Sequence, residues 1–155
     1  FTLKWPNDIL CDGAKICGIL LENHELAGKS RAVIIGIGVN VASHPDDAMY
    51  QATDLANRGV TVSPRQVLDR ISGEMATLTA LWRAGAGFDA IRREWLVPPG
   101  GIGREIVVRM PGRELTGRFQ DIDRDGMLCL ELGDGSVIRL SVADIFFTDA
   151  QDKRV

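Results

Sequence analysis

Short apolar runs bounded by turn-forming residues dominate the first third of the chain, and they have the length of β-strands. Residues 1–5 alternate between apolar and polar side chains, and residues 17–22 and 32–41 are apolar runs separated by a polar turn. This pattern predicts a two-stranded antiparallel element. The pattern is lost over residues 42–62, so a long surface connection is expected there, with room for one short helix around residues 53–57.

A long helix is predicted to begin at Ser63 and Pro64, because a serine hydroxyl can cap free amide groups and proline fits the first helical turn. Apolar side chains then recur at helical spacing, which predicts a stripe that faces a core. The stripe consists of Val67, Ile71, Met75, Leu78 and Trp82. Gly85 and Gly87 end this helix, and a second, shorter helix is expected over residues 88–96.

The sequence Val-Pro-Pro-Gly-Gly at residues 97–101 marks a boundary, because it can sustain neither a helix nor a central strand. Five short strands separated by Pro-Gly and Asp-Gly turns are predicted after it, which is typical of a small β-barrel. The predicted strands are residues 106–110, 115–120, 127–132, 137–141 and 145–148. We therefore expect two domains, over residues 1–98 and 99–155.

Composition excludes several classes of protein. The chain has 155 residues, of which 45% are hydrophobic and 25% are charged, as in ordinary globular proteins. A net charge of -3 argues against nucleic acid as a partner, because nonspecific affinity for phosphate backbones requires clustered Lys and Arg. Its three cysteines lack Cys-x-x-Cys spacing, which favours a reducing cytoplasm, and no apolar run is long enough to cross a membrane.

Three segments contain more glycine and polar residues than packing requires. Residues 4–8 read Lys-Trp-Pro-Asn-Asp and can present hydrogen-bonding groups, although a hairpin turn with Trp5 in the core explains them as well. Residues 15–20 begin with a lone lysine, which can donate to an oxyanion or remain solvated. Residues 36–40 read Gly-Ile-Gly-Val-Asn, so one face of this strand lacks side chains, which suits either a closely bound ligand or tight packing.

In this order and spacing, the three segments resemble the catalytic domain of the biotin protein ligase family, a branch of the biotin and lipoate ligase fold. The terminal module, with Asp-Arg-Asp-Gly at residues 123–126 and Asp-Ile-Phe-Phe at residues 144–147, is similar to the small barrel that ends these ligases. The resemblance implies the α+β class, with part of a ligase-like mixed sheet and its helices followed by a small SH3-like β-barrel.

The resemblance also implies a reaction. Biotin attacks the α-phosphate of ATP in the presence of Mg²⁺, and a lysine of a biotin carboxyl carrier protein then takes the biotin from biotinyl-5′-AMP. Lys15 corresponds to the family lysine beside the carboxylate and the α-phosphate, where a fixed cation stabilises developing charge. Asn40 corresponds to the asparagine that contacts adenine.

Four further positions are implied to line the bound nucleotide. Asn7 and Asp8 correspond to the polar pair on the nucleotide side, and Asp8 is also the candidate ligand of Mg²⁺. Gly18 and Gly38 correspond to positions where the adenylate approaches the backbone closely.

One departure from the family pattern limits the expected activity. In the family, a Gly- and Arg-rich loop and much of the biotin pocket precede the Lys-Trp-Pro-Asn-Asp segment, whereas this chain opens with Phe1 and has no similar loop. We therefore expect an incomplete portion of the enzyme with weak or absent turnover. A lipoate-type acyl ligase of the same fold, and a noncatalytic module that binds a partner or forms a homodimer, remain alternatives.

Other signals are interpreted as structural. Residues 121–126 copy the opening of a calcium-binding EF-hand loop, but Leu132 stands where that loop needs glutamate, so a hairpin turn is expected. His24 and His44 are interpreted as surface histidines in loops. Cys17 is expected to be a small buried side chain rather than a nucleophile.

Overall fold

The structure is a computed structural model that describes residues 1–26, 31–48, 50–97, 100–141 and 143–148. Within these ranges the chain forms nine strands and two α-helices. The strands, numbered in chain order, are β1 (Thr2–Lys4), β2 (Asp8–Cys11), β3 (Ala14–Glu25), β4 (Arg31–Val39), β5 (Glu105–Met110), β6 (Arg113–Ile122), β7 (Leu128–Glu131), β8 (Val137–Leu140) and β9 (Asp144–Phe147). The helices are α1 (Pro64–Trp82) and α2 (Phe88–Leu96), with short 3-10 turns at Ala56–Arg58 and Arg83–Gly85.

The strands form two separate sheets, one before and one after the helices along the chain. The first sheet has the order β1-β2-β3-β4 and the second the order β8-β7-β6-β5-β9. The expected α+β class is confirmed. The paired strands of the first sheet are all antiparallel, whereas a mixed sheet was expected, and its described parallel contact is an isolated bridge between Lys15 and Ala52.

The predicted two-stranded element is confirmed as the hairpin of β3 and β4, which pair from Cys17 and Val39 to Glu25 and Arg31. It is longer than the apolar runs, because polar residues continue β3 beyond Glu22. His24 consequently lies exposed in β3 rather than in a loop.

Both predicted helices are confirmed. The Ser63 hydroxyl accepts a hydrogen bond from the backbone N–H of Gln66, and Pro64 occupies the first turn. The expectation that the stripe on α1 faces a core is wrong, because no residue of α1 is buried and Leu78 and Trp82 are 45% and 47% exposed. Helix α1 packs chiefly against α2, so most of its apolar face stays uncovered in the described residues.

The main core lies in the second sheet, where alternate side chains of all five strands turn inward onto one cluster, as in a small barrel. Ile106, Val108, Phe119, Leu128 and Leu130 are 0% exposed in this cluster. Two side chains of the first sheet, Trp5 and Leu10, belong to the same cluster.

The link between the two sheets includes Pro98 and Pro99, which lie outside the described residues. The division into residues 1–98 and 99–155 therefore stays a prediction. Neither described helix is long and apolar enough to cross a membrane.

Part of the connection over residues 42–62 is buried, whereas a surface connection was expected. Thr53 and Asp54 are 5% and 2% exposed, and the short helix forms at Ala56–Arg58, slightly later than predicted. The structure therefore builds part of this connection into the first sheet.

Candidate functional site

An open cleft of about 620 Å³ lies against the first sheet, next to the turn between β1 and β2. Polar side chains and the glycine backbone of β3 and β4 form most of its surface. It is lined by Asn7, Asp8, Lys15, Gly18, Ile19, Leu20, Gly36, Ile37, Gly38 and Asp144. Five of the six residues that the sequence implicates thus meet in one place, and Asn40 is the exception.

Lys15 provides the positive charge of the cleft. Its Nζ lies 2.6 Å from Oδ1 of Asp8 and 4.9 Å from the centre of the Tyr50 ring. The side chains of Lys15 and Asp8 are 24% and 19% exposed, so both can still be reached from solvent. An ammonium has three donors, which lets Lys15 keep Asp8 and donate to an anion in the cleft.

Gly18 makes room for the Lys15 side chain. A Cβ atom at Gly18 would lie 3.1 Å from Cε and 3.2 Å from Nζ of Lys15, which is too close for either atom to stay in place. At Gly38 the nearest atom to an added Cβ would be the Gly18 carbonyl oxygen at 3.9 Å, an ordinary contact. The sequence predicted one role for Gly18 and Gly38, close approach of a ligand, whereas Gly18 also leaves space for the Lys15 side chain.

Asn7 fixes the turn between β1 and β2 against β3. Its side-chain Nδ2 donates to the carbonyl of Ile19 at 2.5 Å, and the Ile19 N–H donates to the Asn7 carbonyl at 2.9 Å. The turn that carries Asp8 is therefore held at the cleft by a pair of bonds to one residue.

Asn40 lies at the end of β4 and acts within the protein. Its Nδ2 donates to the carbonyl oxygens of Thr53 at 2.9 Å and Lys15 at 3.5 Å, and its backbone N–H donates to the carbonyl of Ile16 at 2.9 Å. Its implied contact with adenine stays a prediction. In the structure its hydrogen bonds join the end of β4 to β3 and to the segment that contains Thr53.

Two contributors were not found from the sequence. Asp144 comes from β9 of the second sheet, and its presence in the cleft depends on how the two sheets pack. Asp54 accepts hydrogen bonds from His44 at 2.6 Å and from the backbone of Asn57 at 2.7 Å. His44 lies outside the helices and strands, as expected, but its side chain is 23% exposed and is paired with a buried carboxylate.

Lys4 and Trp5 hold the second sheet beside the cleft. The indole N–H of Trp5 donates to the carbonyl of Gly126 at 3.2 Å, and Lys4 Nζ lies 5.2 Å from the centre of the Phe146 ring. Trp5 is 5% exposed. The turn that carries Asn7 and Asp8 is therefore anchored in the core of the other sheet.

The expected structural readings of Cys17 and of residues 121–126 fit the structure. Burial, followed by the nearby Asp8 charge, raises the pKa of the Cys17 thiol, which keeps it protonated and a poor nucleophile. Asp123 accepts hydrogen bonds from the backbone N–H groups of Asp125 and Met127, which makes this segment a hairpin turn between strands.

The described residues contain no group of three or more His, Cys, Asp or Glu side chains that could hold a metal ion. Asp8 and Asp144 nevertheless line the same cleft. This donor set suits Mg²⁺ bound mainly through the phosphates of a nucleotide, since Mg²⁺ at such sites takes only one or two protein carboxylates.

Comparison with known proteins addresses the family. Residues 1–40 match the biotin/lipoate A/B protein ligase family, and residues 101–148 match the biotin protein ligase C terminal domain. A biotin--[acetyl-CoA-carboxylase] ligase of Paracoccus denitrificans is 34% identical over 94% of this chain. By these matches, the chain is similar to the biotin protein ligase family along most of its length. A second ligase of the same name, from Mycobacterium tuberculosis, is 32% identical over 92% of the chain.

The chain spans 62% of the length of the Paracoccus ligase and 52% of the Mycobacterium ligase. Solved structures of this family show the same fold. The apo biotin protein ligase of Aquifex aeolicus superposes with a TM-score of 0.79, at 20% identity, over 96% of this chain and 66% of that chain. The same enzyme in complex with biotin and ATP gives a TM-score of 0.76, at 20% identity, over 97% of this chain and 62% of that chain.

Proposed function

We propose that this chain forms the nucleotide side of a biotin protein ligase active site. In the proposed reaction, the biotin carboxylate attacks the α-phosphate of ATP, which releases pyrophosphate and gives biotinyl-5′-AMP. A lysine of a biotin carboxyl carrier protein then attacks the mixed anhydride and releases AMP. The observation that carries the proposal is the meeting of Lys15, Asp8 and the glycine backbone of β3 and β4 in one cleft.

Lys15 is the proposed catalytic residue. Negative charge grows on the oxygens around the α-phosphate in the transition state, and a cation that is already in place stabilises it. The Asp8 carboxylate and the Tyr50 ring hold the ammonium before substrate arrives. Asp8 would be the residue that holds Mg²⁺, which would neutralise phosphate charge, and Lys15 donates to the phosphate.

The remaining site residues shape the nucleotide pocket. Gly38, together with Gly36, leaves the strand backbone open to the ligand, and Asn7 keeps the turn of Asp8 in position. Gly18 gives the lysine its space. Asn40 is proposed to contribute to adenine binding from the rear of the cleft. We place the reaction in the cytoplasm, in keeping with the three free cysteines.

Isothermal titration with biotinyl-5′-AMP tests this function directly. We expect the chain to bind this compound, with lipoyl-5′-AMP as the comparator, and we expect Lys15→Met to weaken the binding strongly. Lys4→Met is the matched control, because Lys4 lies at the Phe146 ring and does not line the cleft. Tighter binding of lipoyl-5′-AMP would favour the lipoate-type alternative, and equal losses in both lysine variants would contradict the role of Lys15.

A further inference from the structure

The segment from Gln51 to Leu55 runs beside Lys15 and is tied to it through the backbone. The Lys15 N–H donates to the carbonyl of Gln51 at 2.8 Å, and the Thr53 N–H donates to the carbonyl of Lys15 at 2.9 Å. These two bonds form the isolated parallel bridge between Lys15 and Ala52. The backbone of the proposed catalytic lysine is thus clamped on the side away from β2.

The same segment holds Asn40 at the end of β4. The Asn40 side chain donates to the carbonyl of Thr53 at 2.9 Å, and the Leu55 N–H donates back to the carbonyl of Asn40 at 3.1 Å. Residues 51–55 therefore connect two of the implied site residues that are far apart in sequence.

The shape of this segment depends on a buried carboxylate. Asp54 is 2% exposed; its Oδ1 accepts from the backbone N–H of Asn57 at 2.7 Å, and its Oδ2 accepts from Asn57 Nδ2 at 3.1 Å and from His44 Nδ1 at 2.6 Å. A buried carboxylate with this many donors is costly to remove, because its partners lose their acceptor. Asp54 does not line the cleft and cannot touch a ligand there.

We propose that Asp54 is a positioning residue of the site: its carboxylate holds residues 51–55 in the shape that fixes the backbone of Lys15 and the side chain of Asn40. The inference rests on the proposed nucleotide site for its functional consequence. Through His44, the same carboxylate also ties down the start of the connection that leads to Tyr50, whose ring covers Lys15.

Hydrogen exchange of the ligand-free chain, followed by NMR, tests the positioning directly. In Asp54→Ala we expect the amides of Lys15 and Thr53 to exchange at least about tenfold faster, because the bonds that protect them open more often. Amides of the second sheet such as Leu130 should keep their rates, which shows that the variant is folded. Unchanged exchange at Lys15 and Thr53 overturns the inference.

The functional consequence is measured with biotinyl-5′-AMP. We expect Asp54→Ala to raise its Kd by about tenfold, which corresponds to about 1.4 kcal/mol of binding free energy, because Lys15 and Asn40 lose their fixed positions. Asp54→Asn retains an acceptor for the Asn57 N–H and should recover part of the loss. Asp69→Ala is the matched control, because Asp69 is an exposed carboxylate on α1 that pairs with Arg65 at 2.9 Å.

The two readouts separate failure of this inference from failure of the proposed function. Faster exchange at Lys15 with an unchanged Kd overturns the positioning role. No binding of biotinyl-5′-AMP by the unsubstituted chain contradicts the proposed function instead, and the exchange rates then still decide whether Asp54 holds Lys15.

Discussion

The two sheets of this protein use apolar side chains in opposite ways. In the second sheet, alternate residues of every strand are closed into one core, and the side chain of Phe119 is fully buried. In the first sheet, the β3–β4 hairpin carries apolar residues that stay uncovered, such as Leu21 at 63% and Val33 at 57% exposure. Its own buried cluster consists only of Cys11, Ile16 and Cys17 with partly buried neighbours.

This difference separates the sheet with the larger buried core from the sheet that carries the proposed site. The second sheet can supply most of the burial that holds the chain together, because the hydrophobic effect scales with the apolar area removed from water. The first sheet has no side chains at Gly18, Gly36 and Gly38, which leaves its backbone open along the cleft. Four predictions test this division, beginning with the largest effect.

Phe119→Ala should destabilise the chain by about 3–5 kcal/mol, the usual cost of removing a buried aromatic side chain. Leu21→Ala is the matched change in the first sheet, and it should alter stability by only about 0.5 kcal/mol because Leu21 is already exposed. Urea denaturation followed by circular dichroism measures both. Similar losses in the two variants would mean that the hairpin is covered in solution.

Gly18→Ala should weaken binding of biotinyl-5′-AMP by less than about tenfold, because the new methyl group forces the end of the Lys15 side chain to shift by a few tenths of an ångström. Gly73→Ala is the control: Gly73 lies on α1 with nothing within 4 Å of an added Cβ. That variant should bind as before and gain about 0.5–1 kcal/mol of stability from helix propensity. Titration calorimetry and urea denaturation distinguish the two glycines, and unchanged binding by Gly18→Ala would falsify the role given to this position.

The ionisation of Asp54 should make the stability of the folded chain depend on pH in acidic solution. Its pKa is lowered in the folded protein, first by the backbone N–H of Asn57 and then by the His44 side chain. A depressed folded pKa contributes stability above the unfolded value of about 3.9, and this contribution is lost as the pH falls through the folded pKa. The urea midpoints of the unsubstituted chain and of Asp54→Asn should therefore converge between about pH 5 and about pH 2. A gap that stays constant over this range would show that the Asp54 charge is not involved.

Weak self-association through the first sheet is the smallest expected effect. Apolar side chains on an exposed hairpin favour contact with a second copy. We expect the chain to elute earlier from a size-exclusion column as its concentration rises, and Leu21→Glu to reduce that shift. Elution at the monomer volume at every concentration would remove the homodimer as a partner.

Local patterns explain why much of the fold could be predicted. Ser63 and Pro64 favour the start of a helix by their own chemical structure, and the strands of the second sheet alternate with turns that need glycine. The failure at α1 has a physical cause, because helical spacing shows which face is apolar but does not show what covers it. The exposed Trp82 is an example.

The residue types of the candidate site could be predicted from the sequence, whereas several of their hydrogen-bond partners could not. Lys15, Asp8 and Gly18 lie close together in sequence, so a hairpin brings them together. Asn40 donates a hydrogen bond within the protein, to a segment thirteen residues away, and no local pattern predicts that contact. Asp54 was missed for the same reason, since the donors that surround it are set by the folded connection.

Trp5 affects how the molecule unfolds on heating and which segments can be removed from it. Its indole fills part of the core of the second sheet, although it belongs to the first strand hairpin. A protein expressed from residue 99 onward would contain a hole where this ring sits. We therefore expect global unfolding of the two sheets to appear as one cooperative transition in a calorimeter.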